Sequence, residues 1–582
     1  MATDNLLQEF PPVSTEFWEE AIRRDLKGAD YAKKLIWQTD EGLAVKPYYR
    51  AEDIAGLDLP VAASGDFPYL RGARLTGDWR IREEIDAVEP EQANHMAQSA
   101  VIAGAEEIAF CNAAIKNASD LGLLLVNLEE IPVHFESANE SLLRLLIERL
   151  KERPSSAQVS TGFDPLTNLD FAAKVIRAAT PALAPFTVHG ECFEEQGATA
   201  VEEVGFTLAA SIDFLAQMQA RKVEIDCTAA SLTFNFSMGA NFFFQIAKLR
   251  AIRLLWARVV ESFGGSQESA AVHIHARTSR WNKTIYDPYV NVLRGTTEAI
   301  SAILGGADSL TVAPFDECYE APGEASRRLA RNTQILLKQE ALLSRVADPG
   351  AGSYAIEVIT DFIVREGWKQ MQEIEAAGGY RKARADGILT RALVQSMTAR
   401  DKAVIARRRV FTGTNQYANR AERALDRIDV SRSSSGRRGA RVYEQVRLRT
   451  ERHTAASGHT PRVLLAETGD AKMRTARSNF AANFFACAGF DIVTQRFETA
   501  AEIAAADADL IVLCSSDPEY FALAKEVLAK LKTLERKTPV LIAGNPEEAE
   551  QMRAAGVADF VHIRTNPIEF LTAWQQRLGI RE

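Results

Sequence analysis

The sequence predicts an α/β protein in four parts: an N-terminal arm, a (β/α)8 TIM-type barrel, a linker, and a C-terminal flavodoxin-like, doubly wound domain. Three observations carry this reading. Short apolar runs alternate with helical patterns from about Phe67 to Arg400, the alternation resumes at Pro461, and a Ser-, Arg- and Gly-rich stretch lies between. At 582 residues the chain is also too long for one core, so more than one domain is expected.

The arm, residues 1–65, opens with "STEFWEEAIRRDLKG", an amphipathic helix capped by Ser14 or Thr15 and ended at Gly28; the strand-like "KKLIWQTDEGLAVKPYY" follows. So small a segment cannot bury Phe17, Trp18, Tyr31, Leu35, Ile36 and Trp37 by itself, and it is expected to pack on something else. Residues 66–417 hold the barrel. Its expected strands include "EEIAF" (106–110), "GLLLVNL" (122–128), "FTVHG" (186–190), "AAVHIHA" (270–276) and "DSLTVAPF" (308–315), and its helices "ESLLRLLIERLKER" and "FFFQIAKLRAIRLLWARVVESF". Repeated β-then-α over such a length favours a parallel sheet closed on itself. Residues 418–460, with "DVSRSSSGRRGARVYEQVRLRTERHTAASGH", read as a solvated basic connector; the interleaved aromatics that nucleic-acid binding would need are missing. Residues 461–582 repeat the β/α pattern with "RVLLA", "FDIVTQ", "ADLIVLCSS", "TPVLIAG" and "ADFVHI", the strand count of a flavodoxin-like sheet.

Composition narrows the class. A hydrophobic share of 47% and a charged share of 25% are ordinary for a soluble protein, and a net charge of −10 argues against nucleic acid as the main partner. The six cysteines are scattered without a C-x-x-C pair, as expected of reduced thiols in a cytoplasmic protein. The opening "MATDNLLQEFPP" lacks the basic and apolar regions of a leader, and no apolar run reaches membrane-spanning length.

The residue patterns alone stop short of a reaction. In an open α/β sheet, ligands settle on the loop after the first strand, yet that loop offers Glu467, Asp470, Ala471, Lys472 and Met473, without a Gly-rich cradle, histidine or nucleophile. His273 and His275 in "HIHA" face one side of a strand, but no third ligand stands at metal spacing, and no metal site is expected. "RRLARNTQILLKQE", with Arg331 and Asn332, has the period of an amphipathic helix, and "DPGAGSY" reads as a turn rather than a phosphate loop.

Four long segments go further. "NFFFQIAKLRAIRLLWARV", "YDPYVNVLRGTTEAISAILGGADSLTVAPFDE", "RRLARNTQILLKQEALLSRVADPGAGSYAIE" and "RRRVFTGTNQY" resemble, in order, the methylmalonyl-CoA mutase family. The resemblance runs from about Trp18 to the C-terminus. It implies a barrel that threads an acyl-CoA along its axis, a C-terminal domain that holds adenosylcobalamin at the barrel's mouth, and a radical interconversion of methylmalonyl-CoA and succinyl-CoA. The family's catalytic chains carry K-x-G-x-D-x-H-x-x-G, whose His ligates cobalt while the Asp and Lys tune it. Here those positions hold Glu467, Ala471, Met473 and, for the last Gly, Ala476; only Gly469 remains. The S-x-L and G-G elements that seat the nucleotide tail appear as "SSD", with Asp517, and "AGN".

The barrel departs from the family in the same direction. A Tyr-His pair facing the substrate is replaced by Glu191 and Cys192, whose carboxylate is expected to repel the substrate's own. No Tyr follows "FPYLRG" before Trp79. "THSQTSGW" appears as "IHARTSRW", keeping His275 but introducing Arg277 and Arg280, and an arginine projecting into the barrel is expected to fill it. The resemblance therefore implies no catalytic, cofactor-binding or metal residue in this chain, and leaves Arg250 and His275 as candidates for substrate contact. Some mutases of the family pair a competent large chain with a smaller relative that has lost these residues. This chain resembles the smaller one, so adenosylcobalamin and acyl-CoA are expected in a large partner. The alternatives are a stand-alone binding or regulatory protein on the same fold, and an active mutase.

Overall fold

Along several of the barrel strands, such as "LTFNFSM", "HIHART" and "FTVH", apolar and polar residues alternate, a pattern that wraps a sheet around a polar interior. The computed structural model describes residues 13–153, 156–434 and 436–581; the opening "MATDNLLQEFPP" and Ser435 of the connector lie outside the described residues. Eight strands build the barrel: β1 (Arg80–Ile85), β2 (Glu107–Phe110), β3 (Val133–Phe135), β4 (Val159–Thr161), β5 (Leu183–Ala184, resuming as Phe186–His189), β6 (Leu232–Met238), β7 (His273–Thr278) and β8 (Ser309–Thr311). All paired neighbours are parallel, and β8 returns to pair with β1. The ring is nearly closed. Its seam falls at Pro185, which has no N–H to give a ladder; there the Thr187 hydroxyl donates to the Thr161 carbonyl at 2.7 Å and the Thr161 hydroxyl to the Pro185 carbonyl at 2.6 Å.

The outward residues, among them Ile108, Phe135, Phe186, Phe234 and Ile274, join helix residues such as Leu146, Phe214 and Trp256 in one large core. This burial is what holds helices Glu140–Glu152 and Phe242–Ser262 on the barrel. The segment "GLLLVNL", expected as a strand, is instead the end of helix Ala118–Leu124 and its turn. Asn117 caps that helix by accepting from the Ser119 and Asp120 amides, and Leu121 and Leu124 lie on its buried face. The strand proper is β3, just downstream. A short apolar run fits either period, and the cap decides.

The C-terminal sheet has strands β9 (Arg462–Glu467), β10 (Asp491–Arg496), β11 (Leu510–Cys514), β12 (Val540–Ala543) and β13 (Asp559–Val561), in the order β10-β9-β11-β12-β13, all parallel. Its switch point, where the order reverses, lies between β9 and β11.

Much of the expected solvated connector is a structured bridge. Residues Arg441–Ser457 form a helix that buries Tyr443, Val446 and Leu448. The Gln575 amide of the last helix donates to the Val446 carbonyl at 2.6 Å, and Glu451 accepts from the Tyr286 hydroxyl at 3.0 Å. Its charges are buried as partners rather than solvated: Arg438 pairs with Glu444 at 2.7 Å, and Arg447 lies 4.0 Å over the Tyr286 ring. Among the described residues no helix is long and apolar enough to cross a membrane.

Candidate functional site

The C-terminal ends of barrel strands are where such folds place their chemistry. Here the axis below them is crossed by ion pairs. Arg277 on β7 reaches past β8 to Glu84 on β1, at 2.7 and 3.0 Å, which places both side chains inside the ring. The same guanidinium holds Glu317 at 2.7 Å. One layer deeper, Arg82 donates twice to Glu107, at 2.6 and 3.1 Å, with both side chains buried. Burial alone would raise Glu107, but Arg82, His273 and Arg80 outweigh it and hold the carboxyl below its usual range. Arg277 is thus the expected arginine filler. Arg280 is not: it stays 55% exposed at the mouth, 3.7 Å from Glu195 and Glu317. Above these pairs a cleft of about 450 Å³ remains, lined by Arg82, Glu84, Cys111, Arg280, Glu317 and Arg438 among others.

The interior histidines are structural partners. His273 and His275 do face one side, sharing the Ser309 hydroxyl at 3.1 and 2.8 Å. Burial holds His273 down at about 4 and His275 well below its ordinary value, so both are neutral. His134 bonds Ser160 at 2.9 Å and Glu136 at 3.0 Å. Arg250, the other candidate for substrate contact, is fully buried on its helix with Asp348 at 3.1 Å and Glu357 at 2.8 Å. Neither Arg250 nor His275 lines the cleft.

At the end of β5, Glu191 does not stand as a bare repelling charge. His189 Nδ1 lies 2.7 Å from its carboxylate, and His189 Nε2 lies 2.8 Å from the Gly162 carbonyl. Burial opposes charge on this imidazole, yet Glu191, the Gly162 carbonyl and Glu136 outweigh it and lift the pKa to about 10. The expectation of repulsion is corrected accordingly: the carboxylate is neutralised by a neighbour the sequence reading did not connect to it.

The second site is the switch point. Glu467 at the end of β9 accepts from the Ser478 hydroxyl. Asp470 caps helix Ala471–Ala486 by accepting from the Met473 amide at 2.8 Å. Glu519 then ties the β9 and β11 loops together. It accepts from the Ser516 hydroxyl at 2.6 Å, the Ser516 amide at 3.1 Å and the Asp470 amide at 3.4 Å, as well as from Ser515. The Ser515 and Ser516 hydroxyls hold its carboxyl at about 2. Across the neighbouring loop Arg477 grips Asp517 at 2.9 Å beside Gly544, where an added Cβ would already lie 3.3 Å from Asp517. These residues do not fit the cofactor that the resemblance implies: Met473 offers a thioether where that motif has an imidazole, Glu467 and Ala471 cannot tune one, and Glu519 and the Arg477–Asp517 pair tie the loops to one another.

Sequence reasoning missed Glu84, Arg82, Glu107, Glu317 and Glu519. A signal existed for three of them: "RIREEI" carries charges at every second position of a barrel strand and "EIAF" opens on one, where inward residues stand.

Residues 163–481 match the model of a family described as Methylmalonyl-CoA mutase. A Porphyromonas gingivalis protein named methylmalonyl-CoA mutase small subunit is 35% identical, covering 99% of this chain and 99% of its own. A Streptomyces virginiae protein of the same name is 31% identical, covering 99% and 98%. A Rhizobium meliloti protein named methylmalonyl-CoA mutase is 28% identical over 75% of this chain and 68% of its own.

Proposed function

The chain belongs to the methylmalonyl-CoA mutase family, and from that premise we propose that it is the small subunit of a heterodimeric, adenosylcobalamin-dependent isomerase that interconverts methylmalonyl-CoA and succinyl-CoA. In this reading the large subunit supplies cobalamin, acyl-CoA binding and the reacting groups, while this chain supports its fold. One observation carries the proposal: the substrate axis and the cofactor loop are filled by paired charges together. Arg277 with Glu84 and Glu317 crosses the axis, and Glu519 with Arg477–Asp517 closes the switch point. Loss at one site alone would be compatible with an active enzyme.

The arm supports a partner. Phe17, Trp18 and Trp37 are 64%, 44% and 48% exposed, although Trp18 stacks on Tyr48 and Trp37 meets Phe244 edge-on. Covering each is worth roughly 1.5–3 kcal/mol, and aromatic anchors dominate interfaces.

The test is co-expression with a longer relative that retains the intact D-x-H-x-x-G loop. The expected result is co-purification, mutase turnover by the pair, and no turnover or histidine-ligated cobalamin spectrum from this chain alone. Turnover by the isolated chain would promote the active-mutase reading, and a stable chain that never pairs would promote the stand-alone one.

A further inference from the structure

Three unlike ligand atoms converge where β5 ends and the short helix Glu191–Glu195 begins. A His189 ring nitrogen, a Glu191 carboxylate oxygen and Cys192 Sγ all lie within 4.8 Å of one another. The imidazole is pre-set, because Nε2 is engaged by the Gly162 carbonyl at 2.8 Å and Nδ1 is left facing Glu191. Fixing a histidine through its far nitrogen in this way is the usual support of a metal-bound imidazole. A second, independent observation concerns Glu191: its Oε2 is buried and has no hydrogen-bond partner. A buried carboxylate oxygen without a partner is costly, and a bound cation satisfies it. Cys192 is exposed, so an ion can reach the cluster. A cavity of about 200 Å³, lined by His189 and Cys192 with Tyr380 and Arg384, opens beside it.

We propose that His189, Glu191 and Cys192 form a site for one zinc-class divalent ion, with a fourth position open toward this cavity. A nitrogen, an oxygen and a sulfur donor with one vacancy suit a borderline-soft tetrahedral ion, whereas calcium and magnesium call for oxygen donors throughout. The ion displaces two protons, the one that His189 and Glu191 now share and that of the Cys192 thiol, which burial and Glu191 hold on the sulfur in the empty site, and both leave to solvent. The 2.7 Å contact between His189 and Glu191 opens to the roughly 3.3 Å edge that Zn–N and Zn–O distances of about 2.0–2.1 Å set in a tetrahedron, a change that rotation of Glu191 supplies. The site does not depend on the subunit reading above, since it uses only residues of this chain.

Cobalt(II) added to the purified full-length chain is the probe. The expected result is one equivalent bound, with thiolate-to-cobalt charge-transfer absorption in the near ultraviolet that zinc abolishes by displacement. Cys192→Ser should remove the band and weaken binding at least about ten-fold, while Cys227→Ser, which changes the other exposed cysteine, should leave both unchanged. Circular dichroism checks that the variants are folded. No retention of cobalt or zinc at micromolar metal, or a band that survives Cys192→Ser, overturns the proposal.

Discussion

Arg82 shows how a single residue holds the barrel interior. Its guanidinium is the main partner of Glu107, with Arg80 only 3.8 Å away as a secondary cation. Removing one member of a buried pair strands the other, which costs about 3–5 kcal/mol, whereas replacing both by apolar groups is often neutral. Arg82→Met should therefore lower the thermal midpoint strongly in calorimetry, and Arg82→Met with Glu107→Leu should recover most of the loss. If the single variant is as stable as the parent, the pair is not what fills the axis. At the switch point the opposite holds, because one residue is not enough. Met473→His restores an imidazole but leaves Glu467 on Ser478 and Glu519 across the loops. Absorption spectra of that variant with cobalamin should still show no histidine-ligated form.

The Glu519 brace joins the loops after β9 and β11, and its carboxyl is held at about 2 from an ordinary 4.5 by the Ser515 and Ser516 hydroxyls. A depressed carboxylate stabilises above its unfolded pKa and loses that contribution as pH falls through the folded one. Amide exchange at Asp470 and Ser516 should thus be protected above about pH 4.5 and lose protection toward pH 2. Glu519→Gln should weaken protection already at neutral pH; unchanged exchange would mean the loops are held by other contacts. Gly439 precedes the bridging helix Arg441–Ser457, and a Cβ there would lie 2.6 Å from Trp281 and 2.7 Å from Phe411. Gly439→Ala should cost about 1–3 kcal/mol by overpacking, read as a lower midpoint and faster proteolysis between residues 418 and 440.

The whole molecule is one barrel and one open sheet joined through a shared core. Trp281 from the β7 end and Phe411 pack in the same cluster as Val463, Phe485 and Trp574 of the C-terminal sheet, and Arg400 lies 4.1 Å over the Trp281 ring. The arm's aromatics Phe17, Trp18 and Trp37 are only partly covered by the described residues. Deleting residues 1–40 should abolish co-purification with the large subunit and lower the pair's activity through lost assembly, rather than through altered chemistry. An interface larger than the standard class of about 1,600 Å² is expected. If the truncated chain pairs normally, the arm is an intramolecular strap, as its Arg409–Asp40 ion pair would allow, and the contact lies on the barrel or the second sheet.

The order of residues by itself determined the two α/β units, because strand and helix periods are local and repeat over hundreds of positions. It also places Met473 where the family resemblance leads one to expect a histidine, since that motif sits within ten residues. What only the tertiary structure decided are the partners that close each site. Arg277 meets Glu84, 193 residues away, and Glu519 meets Asp470, 49 residues away. His189 claims Glu191, and the charged connector turns into a buried helix. Pairing of charges depends on distance in space, and linear sequence records that distance only for neighbours; a polar residue reads the same whether water or an opposite charge will face it.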